Sequence, residues 1–112
     1  MSKDDQIRLQ HMLDAAKEAV SFVRARTPAD LKREHVWLLG LVKCIEIIGE
    51  AAARITEETQ ERYQQIPWAQ IIAMRNRLVH AYFDIDFDQV WKAVTEDIPP
   101  LVAELERIME PK

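Results

Sequence analysis

Apolar residues recur every three or four positions through Leu9, Met12, Leu13, Ala16, Ala19, Val20 and Val23, the spacing of one face of an α-helix. The pattern predicts an amphipathic helix from about residue 3 to residue 26. Thr27 then offers a capping oxygen and Pro28 suits a first helical position, so a second helix starts there and runs to about Ile55. At ~100° per residue, its apolar positions from Val36 to Ile55 cover more than half the circumference, leaving Lys43, Glu46 and Glu50 as a narrow polar strip. A helix of that kind is buried centrally, or has one face in the core and another against a partner chain.

Thr56 followed by Glu57 and Glu58 predicts a short third helix to about Gln65, and Pro67 opens a fourth. The last segment begins with "DFDQ", a capping-box pattern in which Ile85 and Val90 form a hydrophobic staple across the Asp86 cap. Beyond it, Val90, Val94, Ile98, Leu101 and Leu105 keep one helical phase through Pro99 and Pro100, which predicts a single kinked helix. No strand-like alternation interrupts the pattern. The expected fold is all-α, an antiparallel bundle of four to five helices in one domain over residues 1–112.

Composition narrows the function classes. A formal net charge of −4 argues against a protein that coats nucleic acid by bulk electrostatics, since such affinity depends on neutralising phosphates. A local basic surface is still available, and Arg24, Arg26, Lys32, Arg33, Arg75 and Arg77 are candidates to line one. The longest apolar run, "VWLLGLV", ends at Lys43 and falls well short of the roughly 20 residues that cross a bilayer. The amino-terminal stretch lacks the apolar centre of a secretory signal, and Cys44 has no second cysteine to pair with. Both point to a reducing cytoplasm.

One position breaks the amphipathic pattern. With Arg75 at 0° on a helical wheel, Ile71, Ile72, Leu78, Val79 and Tyr82 all fall within ~60° of it. A guanidinium keeps its charge and needs partners when desolvated. A structural ion pair with Glu46 or Glu50 is one explanation. His80 lies ~140° round the same wheel, beside Asn76, so it shares only a flank with Arg75. No His has a Glu three residues before it, as a di-iron bundle would need, so no metal or other cofactor is expected. Trp37, Trp68 and Trp91 are expected in the core and Cys44 as an inert buried thiol.

The string "RNRLVHAY" resembles the Arg-polar-x3-His motif of the HEPN superfamily, in the extended Arg-x4-His-x-Tyr form of the HepT toxins. The surrounding "PWAQIIAMRNRLVHAYFDIDFDQVW" and the earlier "CIEIIGEAA" are similar to that family as well. The resemblance implies a HEPN-type bundle that dimerises with two copies of the motif facing each other, and metal-independent ribonuclease activity. By position it makes Arg75 and His80 the catalytic pair, Asn76 the residue that orients them, and Tyr82 the acceptor of AMP from a cognate MNT-type nucleotidyltransferase antitoxin. Residue chemistry agrees: a histidine titrating near neutrality moves protons, a dimer supplies two copies of His80, and an arginine clamps phosphate. Two other readings compete. One is a catalytically inactive HEPN subunit that regulates or scaffolds a nucleotidyltransferase; the other is a structural dimer in which Arg75 pairs with Glu50.

Overall fold

The computed structural model describes residues 1–78 and 85–110. Among them the fold is all-α, with α1 at Lys3–Val23, α2 at Pro28–Arg33, α3 at His35–Arg54, α4 at Glu57–Arg62, α5 at Trp68–Leu78, α6 at Phe87–Lys92 and α7 at Ile98–Met109. The core joins α1, α3, α5 and α7 through Leu9, Met12, Ala16, Leu41, Ile45, Ile48, Ile71 and Leu105. Helix α3 packs against α1 and α5, and α7 lies along α1.

Capping residues fix most starts, those at Thr27, Thr56 and Asp86 as the sequence predicts. The Ser2 side chain accepts from Asp5 N, Thr27 and Asp30 form a complete capping box, Thr56 accepts from Thr59 N and Asp86 from Gln89 N. The ends differ. Helix α1 stops at Val23, where Arg24 turns to an extended ψ of 130° and Ala25 then takes a left-handed φ of 62°, a conformation that costs a residue with a β-carbon ~1–2 kcal/mol. The third predicted helix is shorter than expected and ends at Arg62.

The long second helix is broken at Glu34, whose φ of −107° and ψ of 86° leave the helical region. No glycine or proline marks the break, so packing rather than local preference sets it. The bend accompanies full burial of Leu31 and brings the Lys32 ammonium over the Phe87 ring at 5.1 Å. The broad apolar helix is buried along only part of its length. Leu41 to Ala52 are largely core, whereas Val36 and Leu39 at its start stand exposed.

The last segment is continuous, as its single apolar phase predicts, but the adjustment precedes the prolines. Residues Ala93–Asp97 form a π-helical turn in which Ile98 N donates to Ala93 O. Pro99 and Pro100 have no N–H and their rings crowd the carbonyls four residues earlier, and the wider turn accommodates both.

Candidate functional site

Helix α5 is held at its start by Trp68, whose indole Nε1 donates to the carbonyls of Gln60 and Tyr63, each at 3.1 Å. Trp68 is thus a buried anchor between α4 and α5. From there Ile71, Met74 and Leu78 face the core, and Arg75 comes out along the edge that lies on α3. Helices α3 and α5 approach closely at Gly49, where a β-carbon would sit 2.3 Å from Arg75 Cβ and 2.6 Å from Cγ.

The Arg75 guanidinium emerges past Gly49 onto a polar rim. Its Nη2 donates to Glu50 Oε1 at 3.3 Å and its Nη1 to Asn76 Oδ1 at 3.1 Å. Its Nε is buried and has no partner among the described residues. The side chains of Arg75 and Glu50 are 35% and 56% exposed, so their single-oxygen ion pair contributes only ~0–1 kcal/mol. A buried donor without a partner costs ~1–3 kcal/mol. The ion pair expected as a structural explanation is therefore present, and it does not repay the cost of placing an arginine there.

Beyond Glu50, away from Arg75, an open groove of about 310 Å³ runs between α1 and α3, lined by Ile7, Arg8, His11, Ile47, Glu50 and Arg54 among others. On the other side of α5, a larger groove of about 530 Å³ separates it from α7 and includes Arg77, Glu96, Asp97 and Glu104 in its walls.

Of the residues singled out in the sequence, Arg75, Asn76 and Glu50 come together. His80 and Tyr82 lie outside the described residues. Glu46, one turn before Glu50, has Lys43 Nζ at 3.7 Å. Four of the six basic residues named as candidates for one surface have different surroundings. Arg26 stacks on Trp37 at 3.9 Å, Lys32 lies over Phe87, Arg33 pairs with Asp30 at 2.7 Å, and Arg77 faces the α5–α7 groove. Trp37 and Trp91 are half-buried rather than central. Burial and the neighbouring Glu18 carboxylate push the Cys44 thiol up to about 11, which keeps it protonated and inert.

Two contributors escaped the sequence reading. Gly49 was legible only as a glycine inside a helix, where it costs about 1 kcal/mol and so hints at a close approach. Asp5 is almost fully buried and accepts from Thr56 N at 3.1 Å, Thr56 Oγ1 at 2.6 Å and Thr59 Oγ1 at 2.6 Å. Burial works to raise its carboxyl, but these bonds from Thr56 and Thr59, with Arg8 nearby, outweigh it and hold the group below its ordinary value. Thr56 was legible in the sequence as a helix start, and nothing there joined it to Asp5.

The helical order and the arginine on the α3–α5 seam define an all-α bundle of the HEPN type. The family model described as "Ribonuclease HepT-like" matches residues 12–108, and the chain belongs to that family. Among its relatives is a Methanocaldococcus jannaschii protein named "Gamma-glutamylcyclotransferase and putative RNase". It is 34% identical over 110 residues, covering 98% of this chain and 50% of that one. A "Putative RNase" of the same organism is 32% identical over 107 residues, covering 95% of this chain and 98% of the relative. A "Probable ribonuclease HepT" of Thermococcus cleftensis is 31% identical over 108 residues, covering 96% and 98%. This chain spans half the length of the first of these relatives and nearly all of the other two. No solved structure gives a significant match. Among the described residues no helix is long and apolar enough to cross a membrane.

Proposed function

We propose that the protein is a metal-independent endoribonuclease in which Arg75 grips the scissile phosphate and His80 transfers a proton. Asn76 orients the guanidinium through the bond from Arg75 Nη1. The observation that carries this reading is the energetic imbalance at Arg75: an exposed ion pair, an orphaned Nε and a glycine opposite. A permanently charged fork held at a rim is suited to clamp a phosphodiester and to stabilise charge that builds on its oxygens. The 2′-oxygen attacks phosphorus as it loses its proton, the bond to O5′ breaks, and O5′ gains a proton. The products are a 2′,3′-cyclic phosphate and a 5′-hydroxyl.

The same reading takes residues 1–112 as one HEPN-type domain acting as a homodimer in the cytoplasm, with two copies of the motif bordering one groove. The protein is the toxin of a toxin–antitoxin pair, and a cognate MNT-type nucleotidyltransferase antitoxin silences it by placing AMP on Tyr82. Membership of the HepT-like family supports this reading. Purified protein incubated with RNA, with and without a chelator, tests it: cleavage that persists with chelator and leaves cyclic phosphate ends is expected. RNA that binds and stays intact would favour a catalytically silent subunit.

A further inference from the structure

We propose that Glu50 is the group that takes the 2′-hydroxyl proton, so that the base and the phosphate clamp come from adjacent helices of one protomer. The inference rests on the ribonuclease reading above. Transphosphorylation needs one group ready to accept a proton and another ready to donate one, and a single imidazole does not hold both states at once. Glu50 is the carboxylate bonded to the arginine proposed to hold the phosphate, with Oε1 3.3 Å from Arg75 Nη2. Its side chain is 56% exposed, so substrate can reach it, and that bond engages one of its two oxygens.

The local packing keeps this geometry. Contact between Gly49 and the Arg75 stem leaves no room for a side chain between the helices at that level, so the next residue, Glu50, meets the guanidinium. On its far side Glu50 borders the α1–α3 groove. The nucleoside on the 5′ side of the scissile phosphate fits there, its base against exposed Ile7 and half-buried Ile47, with Arg8 and Arg54 near the preceding phosphate. In the step itself, Glu50 takes the proton of the 2′-hydroxyl and O2′ bonds to phosphorus. The P–O5′ bond breaks, and O5′ takes its proton from His80. Glu50 ends protonated and His80 neutral, and both exchange with solvent.

The charged and titratable groups around Glu50 are Asp4, Arg8 and His11 of α1, Arg54 and, one turn before it, the Lys43-paired Glu46 on its own helix, and Arg75 of α5. His11 is the neighbour most able to imitate its role. The test follows cleavage of an oligoribonucleotide with one scissile bond from about pH 4 to pH 9, for the parent, Glu50→Gln, Glu50→Asp and His11→Gln. Glu50→Gln is expected to lose ~100-fold or more in kcat with KM little changed, and to lose the acidic limb of the profile. Glu50→Asp should retain part of the rate, and His11→Gln should keep the acidic limb. Formate added to Glu50→Ala should restore cleavage, which a purely structural role would not allow. A Glu50→Gln variant that keeps the limb, or loses activity through KM alone, overturns the inference. A parent protein that cleaves no RNA overturns both readings, whereas equal cleavage by parent and Glu50→Gln overturns this one alone.

Discussion

Gly49 touches the stem of Arg75: a β-carbon at residue 49 would overlap Arg75 Cβ at 2.3 Å. The atoms met are the rigid root of the side chain, so relief requires α3 and α5 to separate. Gly49→Ala therefore should destabilise the fold by roughly 1–3 kcal/mol despite alanine's better helix propensity. It should also displace the guanidinium and lower RNA cleavage by more than the stability loss explains. Urea denaturation and single-turnover cleavage on the same preparation check both effects. A stabilised, fully active variant would contradict the contact.

His80→Ala should reduce cleavage by ~10²- to 10⁴-fold, the range expected when a proton-transfer imidazole is removed, with helicity and oligomeric state unchanged. Arg75→Ala should be similarly inactive, yet no less stable than the parent by more than ~1 kcal/mol, because its ion pair is solvent-exposed. Thermal melts read by circular dichroism separate the two quantities. An Arg75→Ala chain that unfolds would mark the arginine as a structural residue.

Tyr82 follows Arg75 by seven residues in the sequence, and in the proposed regulation AMP on its hydroxyl adds an anion and a bulky base that oppose binding of the substrate phosphate. Tyr82→Phe should cleave RNA at the parent rate and escape silencing when coexpressed with the nucleotidyltransferase. Intact-mass analysis should find one AMP on the parent and none on the variant. Normal silencing of Tyr82→Phe, or an adduct on another residue, would refute this control point.

Asp5 links stability to pH. Its folded carboxyl titrates below the unfolded one, so its contribution is fully present above the unfolded value near pH 4. It is lost as pH falls through the lowered folded value. Asp5→Asn should remove that part of the acid sensitivity and cost roughly 2–3 kcal/mol at neutral pH, since the threonine donors lose a charged acceptor. Denaturant titrations at a series of pH values between 7 and about 2 would show parent and variant converging in acid.

Most helix starts were legible in the sequence because the caps are local: Thr27 with Pro28 and Asp30, Thr56, and Asp86 each act within one turn. The misplacements arose where distant packing decides. Nothing in Lys32–Arg33–Glu34–His35 foretold a bend that serves the burial of Leu31. Ala25 gave no sign of a left-handed turn, because alanine is not the residue that usually supplies one. At the site, Arg75 stood out as a charge within an apolar stripe and Glu50 was a candidate partner. That the two meet depends on the α3–α5 crossing at Gly49, a long-range relation that helical periodicity does not encode.

The hydrogen bonds of Asp5 also bear on the order in which the chain assembles during synthesis. Its partners Thr56 and Thr59 follow it by 51 and 54 residues, so on a ribosome adding ~5–20 residues per second the carboxylate waits in water for several seconds. Beyond its own Ser2 cap, the amino-terminal end of α1 is not tied through Asp5 to the rest of the fold until α3 has emerged and α4 has begun. This end of α1 is then not fastened until the middle of the domain has been made, and a nascent chain stalled before Thr59 lacks one of the two threonines that hold it.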